Sequence, residues 1–180
     1  MRSEDTAGLA DWYDKLSSGY DELYAKEQSV KYNAALEAVG GCRFDVVVDV
    51  ACGTGLFLDR LRTTCGLVVG VDVSREMLEK AKTHAATENV SLVRADCAWL
   101  PLKDEMTDCI FAISLLKTGG LMRRQVSEMA RTVKGDGLLV GTLFRDDDGM
   151  SLSKLGLNST AKLKDLSSRE SLFLIRRAML

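Results

Sequence analysis

The fold of this chain is decided by the stretch Phe44-Asp45-Val46-Val47-Val48-Asp49-Val50-Ala51-Cys52-Gly53-Thr54-Gly55. A valine-rich run bounded by glycine is typical of a buried strand. The run ends in an acid and a tight loop with two glycines, and an apolar helix is expected to begin near Leu56. This order brings a ligand close to the backbone at the carboxyl end of a parallel sheet. The sequence therefore predicts a small-molecule site in the first third of the chain.

The loop lacks the signatures of two common nucleotide sites. Gly55 is followed by Leu56 and Phe57, where a phosphate-binding P-loop has lysine and then serine or threonine. Leu58 stands where the dinucleotide fingerprint has its third small residue. The carboxylate of Asp49 favours a ligand with cationic character over one with a pyrophosphate. The alternative interpretation is a turn that merely connects a strand to a helix.

Two further acids follow the next two predicted strands. Residues 67–72 form an apolar run that ends in Asp72, near the ~20-residue offset at which an acid meets a ribose in doubly wound folds. Residues 90–94 form a third strand followed by Asp96, an acceptor for the exocyclic amine of a purine. Three acids at successive strand ends, counting Asp49, favour a nucleoside site. In the alternative interpretation, Asp72 and Asp96 only cap helices or turns.

The remaining elements follow from apolar spacing and turn residues. Alternating strands and helices from residue 44 onward predict a parallel sheet. A helix over residues 22–39 precedes them, and a later helix stops at Gly135 before a strand over residues 137–144. The last two strands, near residues 161–166 and 172–176, are joined by a short polar segment. They are predicted to form an antiparallel hairpin.

From Tyr13 to about Arg177, the chain resembles the class I S-adenosylmethionine-dependent methyltransferases, and most of all the small Asp-x-x-Cys-Gly-Thr-Gly type. Residues 49–55 match the first motif, with Ala51 in place of the commoner first glycine, and residues 70–78 match the second. The resemblance implies an α/β fold with one doubly wound, seven-stranded, mostly parallel Rossmann-like sheet and a C-terminal antiparallel hairpin. It also implies an N-terminal helical lid over residues 1–40 and a methyltransferase domain over residues 41–180.

The resemblance further implies S-adenosyl-L-methionine as the cofactor and gives roles to individual residues. Asp72 is expected to accept hydrogen bonds from the ribose hydroxyls. Ser114 is expected near the reactive methyl group. Tyr13 and Tyr20, each followed by Asp, resemble a family signature that closes a lid; simple packing of an amphipathic helix is the alternative. The methionine part would meet Asp49, Ala51, Cys52, Gly53 and Gly55, and the adenine would meet Val73, Met77, Asp96 and Cys97.

Composition agrees with an intracellular enzyme of one domain. The formal net charge is −2, which gives no general electrostatic footprint for nucleic acid. No apolar run approaches the ~18–20 residues of a membrane span, and the N-terminus lacks the apolar core of a signal peptide. The five cysteines form no CxxC pair and His84 has no partner, so reduced thiols, a cytoplasmic location and no metal site are expected.

The sequence is less informative about the methyl acceptor. It identifies no catalytic base, and methyl transfer from a sulfonium depends on positioning more than on acid–base groups. Short connections over residues 115–120 and 145–160 predict an open, shallow pocket, which favours a macromolecular acceptor such as RNA or protein, or a partner subunit. The alternatives are a stand-alone small-molecule methyltransferase and a non-catalytic cofactor-binding subunit.

A partner is also suggested by the third strand. In the family's sheet order this strand lies at one edge, and residues 90–94 carry neither proline nor a central charge. An unprotected edge is a template for strand addition by another chain. Several related translation methyltransferases depend on a small zinc-binding activator docked at that edge, so a heterodimer or a homodimer through residues 90–94 is predicted. Coverage of the edge by the N-terminal helices is the rival interpretation.

Overall fold

A seven-stranded mixed sheet forms the centre of the chain. The computed structural model describes residues 3–116, 120–144, 162–167 and 170–179. The strand order is β3-β2-β1-β4-β5-β7-β6. The strands are β1 (Phe44–Val50), β2 (Cys65–Asp72), β3 (Val90–Arg94), β4 (Thr107–Leu116), β5 (Val133–Phe144), β6 (Lys162–Asp165) and β7 (Glu170–Arg176). The helices are α1 (Ser3–Leu16), α2 (Tyr20–Ala38), α3 (Leu58–Leu61), α4 (Arg75–Ala81) and α5 (Gly120–Thr132), with 3-10 turns at Ser17–Gly19 and Arg177–Met179.

Five of the strands are parallel, and the two at the C-terminus are not. Strands β1 to β5 pair in parallel, whereas β7 runs antiparallel to both β5 and β6. Val47, Val48 and Val50 of β1 are fully buried, as expected for a strand covered on both faces. The predicted fold class is therefore confirmed, including the C-terminal hairpin.

Apolar helices cover both faces of the sheet. On one face, strands β1 and β2 share a core with Ala35 of α2, Leu78 of α4 and Phe57 of the loop before α3. On the other, Met122 and Met129 of α5 pack against β4 and β5. Two separate apolar layers of this kind are what a doubly wound sheet requires.

Several element boundaries differ from the sequence-based prediction. The helix expected near Leu56 is the single turn α3, because Gly55 has a φ of 88°, which no helix accommodates. Strand β4 continues past Ser114 to Leu116 after a register shift, so this serine lies inside the strand. Helix α5 ends at Thr132, before Gly135, and β5 begins directly after it. Glycine at position 137 permits this extension, because the Cβ of any other residue would clash with the Asp108 carbonyl oxygen at 2.7 Å.

The N-terminal helices pack on the domain over the carboxyl end of the sheet. Helix α1 contacts α4, and α2 contacts β4, β5 and β7. Helix α2 ends near Gly40 and Gly41, both with φ in the left-handed region, as the sequence predicts. Within the described ranges, no helix combines the length and the apolar character needed to cross a membrane. All five cysteines are free.

Candidate active site

The candidate site lies where the strand order reverses. Strands β2 and β3 lie on one side of β1, and β4 and β5 lie on the other. Ligands of open α/β sheets bind in the crevice outside the carboxyl ends of the strands at such a switch point. The loop over residues 51–57 follows β1 there, and Ser114 lies near the end of the adjacent β4.

The loop after β1 depends on left-handed backbone conformations. Ala51, Gly53 and Gly55 have φ values of 63°, 55° and 88°. At Gly55 a Cβ would lie 3.1 Å from Ala81, so this glycine also permits close packing of the loop on α4. At Gly53 a Cβ would meet no atom within 4 Å. The backbone at Gly53 therefore borders open space, as a loop approached by a ligand would.

Asp72 connects the loop to the second strand. Its Oδ2 accepts a hydrogen bond from the Gly53 amide at 2.9 Å, and its Oδ1 accepts one from the Ser74 amide at 2.9 Å. Asp72 thus caps the loop and the turn before α4, as the alternative interpretation of the sequence proposed. Each carboxylate oxygen still has capacity for a second donor, so capping does not exclude a ligand hydroxyl.

Two buried carboxyl groups give the site a strongly acidic character. Burial, together with the charge of Asp72, raises the pKa of Asp49 to about 8. Burial also raises the pKa of Asp72, although its backbone hydrogen bonds oppose the rise. A cation at the site would lower both pKa values by favouring the ionised forms. The pair therefore fits a positively charged ligand.

The residues expected around the adenine lie along the neighbouring strand ends. The Ala95 amide donates to the Asp72 carbonyl, which fixes the end of β3 beside β2. Asp96 accepts from the Ala98 amide at 2.8 Å within its own turn. Burial, with the charge of Asp96, raises the pKa of the Cys97 thiol to about 12, so the thiol stays neutral. Met77 is buried in the first turn of α4, and Val73 is half-buried.

The two Tyr-Asp pairs join the N-terminal helices to the site through their acids. Asp14 accepts from the Ser74 hydroxyl and, at 3.1 Å, from the Glu76 amide at the start of α4. Asp21 accepts from the Thr54 hydroxyl of the loop at 2.6 Å. Sequence analysis selected the tyrosines and overlooked Asp14, Asp21 and Thr54, although the repeated Tyr-Asp pattern was a signal for both acids.

The tyrosines themselves lie close to Asp72. Burial raises the pKa of Tyr13, and the Asp72 charge adds to the rise. Burial also raises the pKa of Tyr20 to about 12. The Tyr20 hydroxyl accepts from Gln28 Nε2 at 3.3 Å. Both phenols therefore remain neutral donors beside Asp72.

Ser114 belongs to a polar cluster that sequence analysis missed. Its φ is 59°, and its amide donates to the Thr142 hydroxyl at 2.7 Å. Gln28 and Lys31 of α2 donate to its Oγ at 3.1 and 2.8 Å, and Lys31 also pairs with Glu170. Gln28 and Lys31 share a helix face with the buried Ala35, so polar residues at inward-facing positions were the available signal.

Metal binding finds no support in the described residues. They contain no group of three or more His, Cys, Asp or Glu side chains arranged to hold an ion. His84 instead contacts Asp59 of α3.

Residues 48–141 match the family model described as a methyltransferase domain. The chain belongs to this family. The match begins in β1 and ends in β5, so it includes the loop after β1, both following strand ends and Ser114.

Individual relatives agree with membership of the methyltransferase-domain family. The chain is 32% identical to the 2-phytyl-1,4-naphtoquinone methyltransferase of Nostoc sp. over 133 residues, which cover 70% of this chain and 54% of that protein. It spans about half the length of the curated relatives that it matches.

Two solved structures share the fold. The first is the complex between the Haloferax volcanii Trm112 methyltransferase activator and a methyltransferase (TM-score 0.74, 17% identity, 90% of this chain and 96% of that chain). The second is the DhpI–SAH complex (TM-score 0.76, 21% identity, 94% of this chain and 95% of that chain). At these identities the likeness shows the fold alone.

Proposed function

We propose that this chain is an S-adenosyl-L-methionine-dependent methyltransferase. The observation that carries the proposal is the pair of buried carboxyl groups, Asp49 and Asp72, on either side of an open glycine loop. A ligand with an ammonium and a sulfonium group compensates two buried acids, whereas a pyrophosphate would be repelled by them. Membership of the methyltransferase-domain family supports the same conclusion.

Each site residue has a role in holding the cofactor. S-adenosylmethionine supplies an electrophilic methyl group on sulfur. Asp49 binds the ammonium group, and the backbone of residues 51–55 lies along the methionine part. Asp72 accepts from the ribose hydroxyls while keeping its bonds to the loop. Around the adenine, Val73 and Met77 pack on the ring, Asp96 accepts from the amino group, and the Cys97 amide donates to a ring nitrogen.

Residues 1–40 form a lid in this proposal. The hydrogen bonds from Thr54 to Asp21 and from Ser74 to Asp14 hold it on the loop and on α4. Tyr13 and Tyr20 then cover the methionine end, with their neutral hydroxyls near Asp72. A lid of this kind excludes water from the site during the reaction.

A macromolecular acceptor, RNA or protein, or a required partner subunit is the favoured assignment. It is supported by the similarity to the fold of a methyltransferase whose structure was solved in complex with the activator Trm112. Strand β3 lies at the sheet edge, with Leu92 and Val93 only half-buried, and α1 and α2 make their main contacts elsewhere. The sequence predicts an open pocket from the short connections over residues 115–120 and 145–160; residues 117–119 of the first and all of the second lie outside the described residues.

The second candidate is a stand-alone methyltransferase for a small molecule. It is favoured by the identity of 32% to a naphthoquinone methyltransferase. Sedimentation of the purified chain, with and without SAH, separates the two candidates. A monomer that methylates a quinol or another small acceptor at full rate supports the second. Loss of a complex in Leu92→Lys, with unchanged SAH binding, supports a partner at the β3 edge.

Calorimetry with SAH tests the proposed function directly. SAH should bind the wild type, and Asp72→Ala should lose about 1.5–3 kcal/mol of binding free energy, the value of hydrogen bonds to a charged acceptor. Glu79→Ala on the exposed face of α4 is a matched control, because the interactions described for Glu79 are with Arg75 and Lys82 and with none of the site residues. Absence of SAH binding by the wild type, or tighter binding of NAD, would contradict the proposal.

A further inference from the structure

A buried polar cluster lies where α2 crosses β4 and β7. The Lys31 ammonium donates to Ser114 Oγ at 2.8 Å and pairs with Glu170 Oε2 at 2.7 Å and with Glu27 Oε1 at 2.8 Å. The side chains of Lys31 and Glu170 are 5% and 4% exposed, whereas that of Glu27 is 59% exposed. The cluster is therefore an interior ion pair with one additional carboxylate in solvent.

The second oxygen of Glu170 has no partner within the described part of the chain. Glu170 Oε1 is buried and accepts no hydrogen bond there. Lys31 cannot supply one, because its three protons already go to Ser114, Glu170 Oε2 and Glu27. A buried acceptor without a donor destabilises the folded state, and such groups in native structures call for an explanation.

The backbone beneath the cluster is strained as well. Ser114 has a φ of 59° inside a strand, and its amide is held by Thr142 of β5 rather than by the regular ladder. Glu170 pairs with Phe144 at the end of the same β5. Strain and a buried carboxylate oxygen without a donor therefore occur together at the carboxyl end of β4 and β5. Costs concentrated at one place are typical of a functional site.

We propose that Glu170 Oε1 binds the hydrogen-bond donor of the methyl acceptor, and that this donor is a neutral amine or hydroxyl. This inference rests on the proposed function of the adjacent cofactor site. The acceptor group is neutral because Lys31, the cation of the cluster, is already paired with Glu170 and Glu27, and because a protonated amine has no lone pair to accept a methyl group. No positive charge of the cluster remains for a phosphate or carboxylate of the acceptor.

The same contact favours release of the product. Methyl transfer to a hydroxyl forms the O–CH₃ bond, breaks the S–CH₃ bond of the cofactor to leave SAH, and releases the hydroxyl proton to solvent. The methyl ether then has no proton to donate to Glu170 Oε1. The oxygen is buried beside Lys31 of α2. Helix α2 belongs to the proposed lid, so the acceptor enters when the lid moves. Loading of the acceptor is then linked to movement of residues 1–40.

Phenol and anisole are matched probes for this site, since they differ by the methylation that removes the donor. The protein is saturated with SAH, and the dissociation constants of both probes are measured from the NMR shifts of the Leu172 methyl groups. Leu172 lies two residues from Glu170 in β7. Phenol should bind about tenfold more tightly than anisole, as expected for a hydrogen bond to a charged acceptor.

Glu170→Gln should remove this preference. Lysine only donates, so Lys31 will hold the amide oxygen, and the amide NH₂ will then occupy the position of the free acceptor. The preference for phenol should fall to about twofold or less. Glu27→Gln removes the exposed carboxylate from the same lysine and should keep the tenfold preference. Thermal melting and SAH calorimetry on each variant establish that the fold and the cofactor site are intact.

The outcomes separate this inference from the proposed function. Failure of the wild type to bind SAH refutes the proposed function and with it the inference. Normal SAH binding with equal affinity for the two probes, or with binding of neither, overturns only the inference. A preference that persists in Glu170→Gln also overturns it, because the donor would then be recognised by another group.

Discussion

SAH affinity should depend on pH through Asp49. With a pKa of about 8 in the free protein, this carboxyl is about 90% neutral at about pH 7. An ammonium group of the ligand requires the ionised form, so binding must first remove the proton. Below the pKa, that removal weakens binding about tenfold for each pH unit. We therefore expect SAH affinity to rise about 50-fold between about pH 6 and pH 8.

Isothermal calorimetry measures this effect in two independent ways. The affinity gives the slope with pH, and the dependence of the enthalpy on buffer counts the protons released, close to one per SAH at about pH 7. Asp49→Asn resembles the neutral carboxyl and should lose most of both signals, leaving the contribution of Asp72, whose pKa is also raised by burial. Tyr32 and Cys52 also face Asp49, but burial raises the pKa of each, so both stay neutral throughout this range.

Methylthioadenosine, which lacks the amino-acid part, is the ligand control. Its affinity should not rise with pH, because it brings no ammonium to Asp49. An SAH affinity that is flat between about pH 6 and pH 8, or a slope that is undiminished in Asp49→Asn, would refute the assignment of this carboxyl to the ligand ammonium.

Three further predictions follow from the same geometry. The free protein should lose stability as pH rises from about 4 to 8. The raised pKa of Asp49 keeps its proton bound in the folded state over this range, whereas the unfolded state releases it. Thermal melting should show a smaller loss in Asp49→Asn. Gly55→Ala should cost about 1–3 kcal/mol of unfolding free energy in urea titrations, because of its φ of 88° and the Ala81 contact, whereas the exposed Gly135→Ala should stay within about 0.5 kcal/mol. Asp21→Ala removes the hydrogen bond to Thr54 and should speed amide hydrogen exchange over residues 3–25 in the SAH-bound protein, whereas Asp11→Ala at an exposed position should not. Equal exchange in the wild type and both variants would indicate that the N-terminal helices pack statically and do not act as a lid.

The sheet could be predicted because local sequence determines it. A valine-rich strand such as β1 buries both faces wherever it lies in a parallel sheet, and each acid marks where a strand leaves the core. The position of these acids next to one another then follows from the parallel arrangement. Asp72 illustrates the limit, since both of its oxygens bind backbone amides, a contact that depends on the loop conformation after β1. Pattern alone predicted an acid at the ribose position and not the loop contacts that it makes.

Glu170 shows why the rest of the site escaped prediction. It ends a polar run that reads as a turn, and the sequence predicted a strand only from Leu172. In the structure β7 begins two residues earlier, because Phe144 extends β5 far enough to pair with Glu170. That pairing buries the carboxylate next to Lys31, which comes from a helix far away in the chain. No local sequence pattern predicts this contact, because it depends on the antiparallel pairing of β7 with β5 and on the packing of α2 over β4. The acceptor end of the site is therefore specified by tertiary contacts, whereas the cofactor end is specified by motifs.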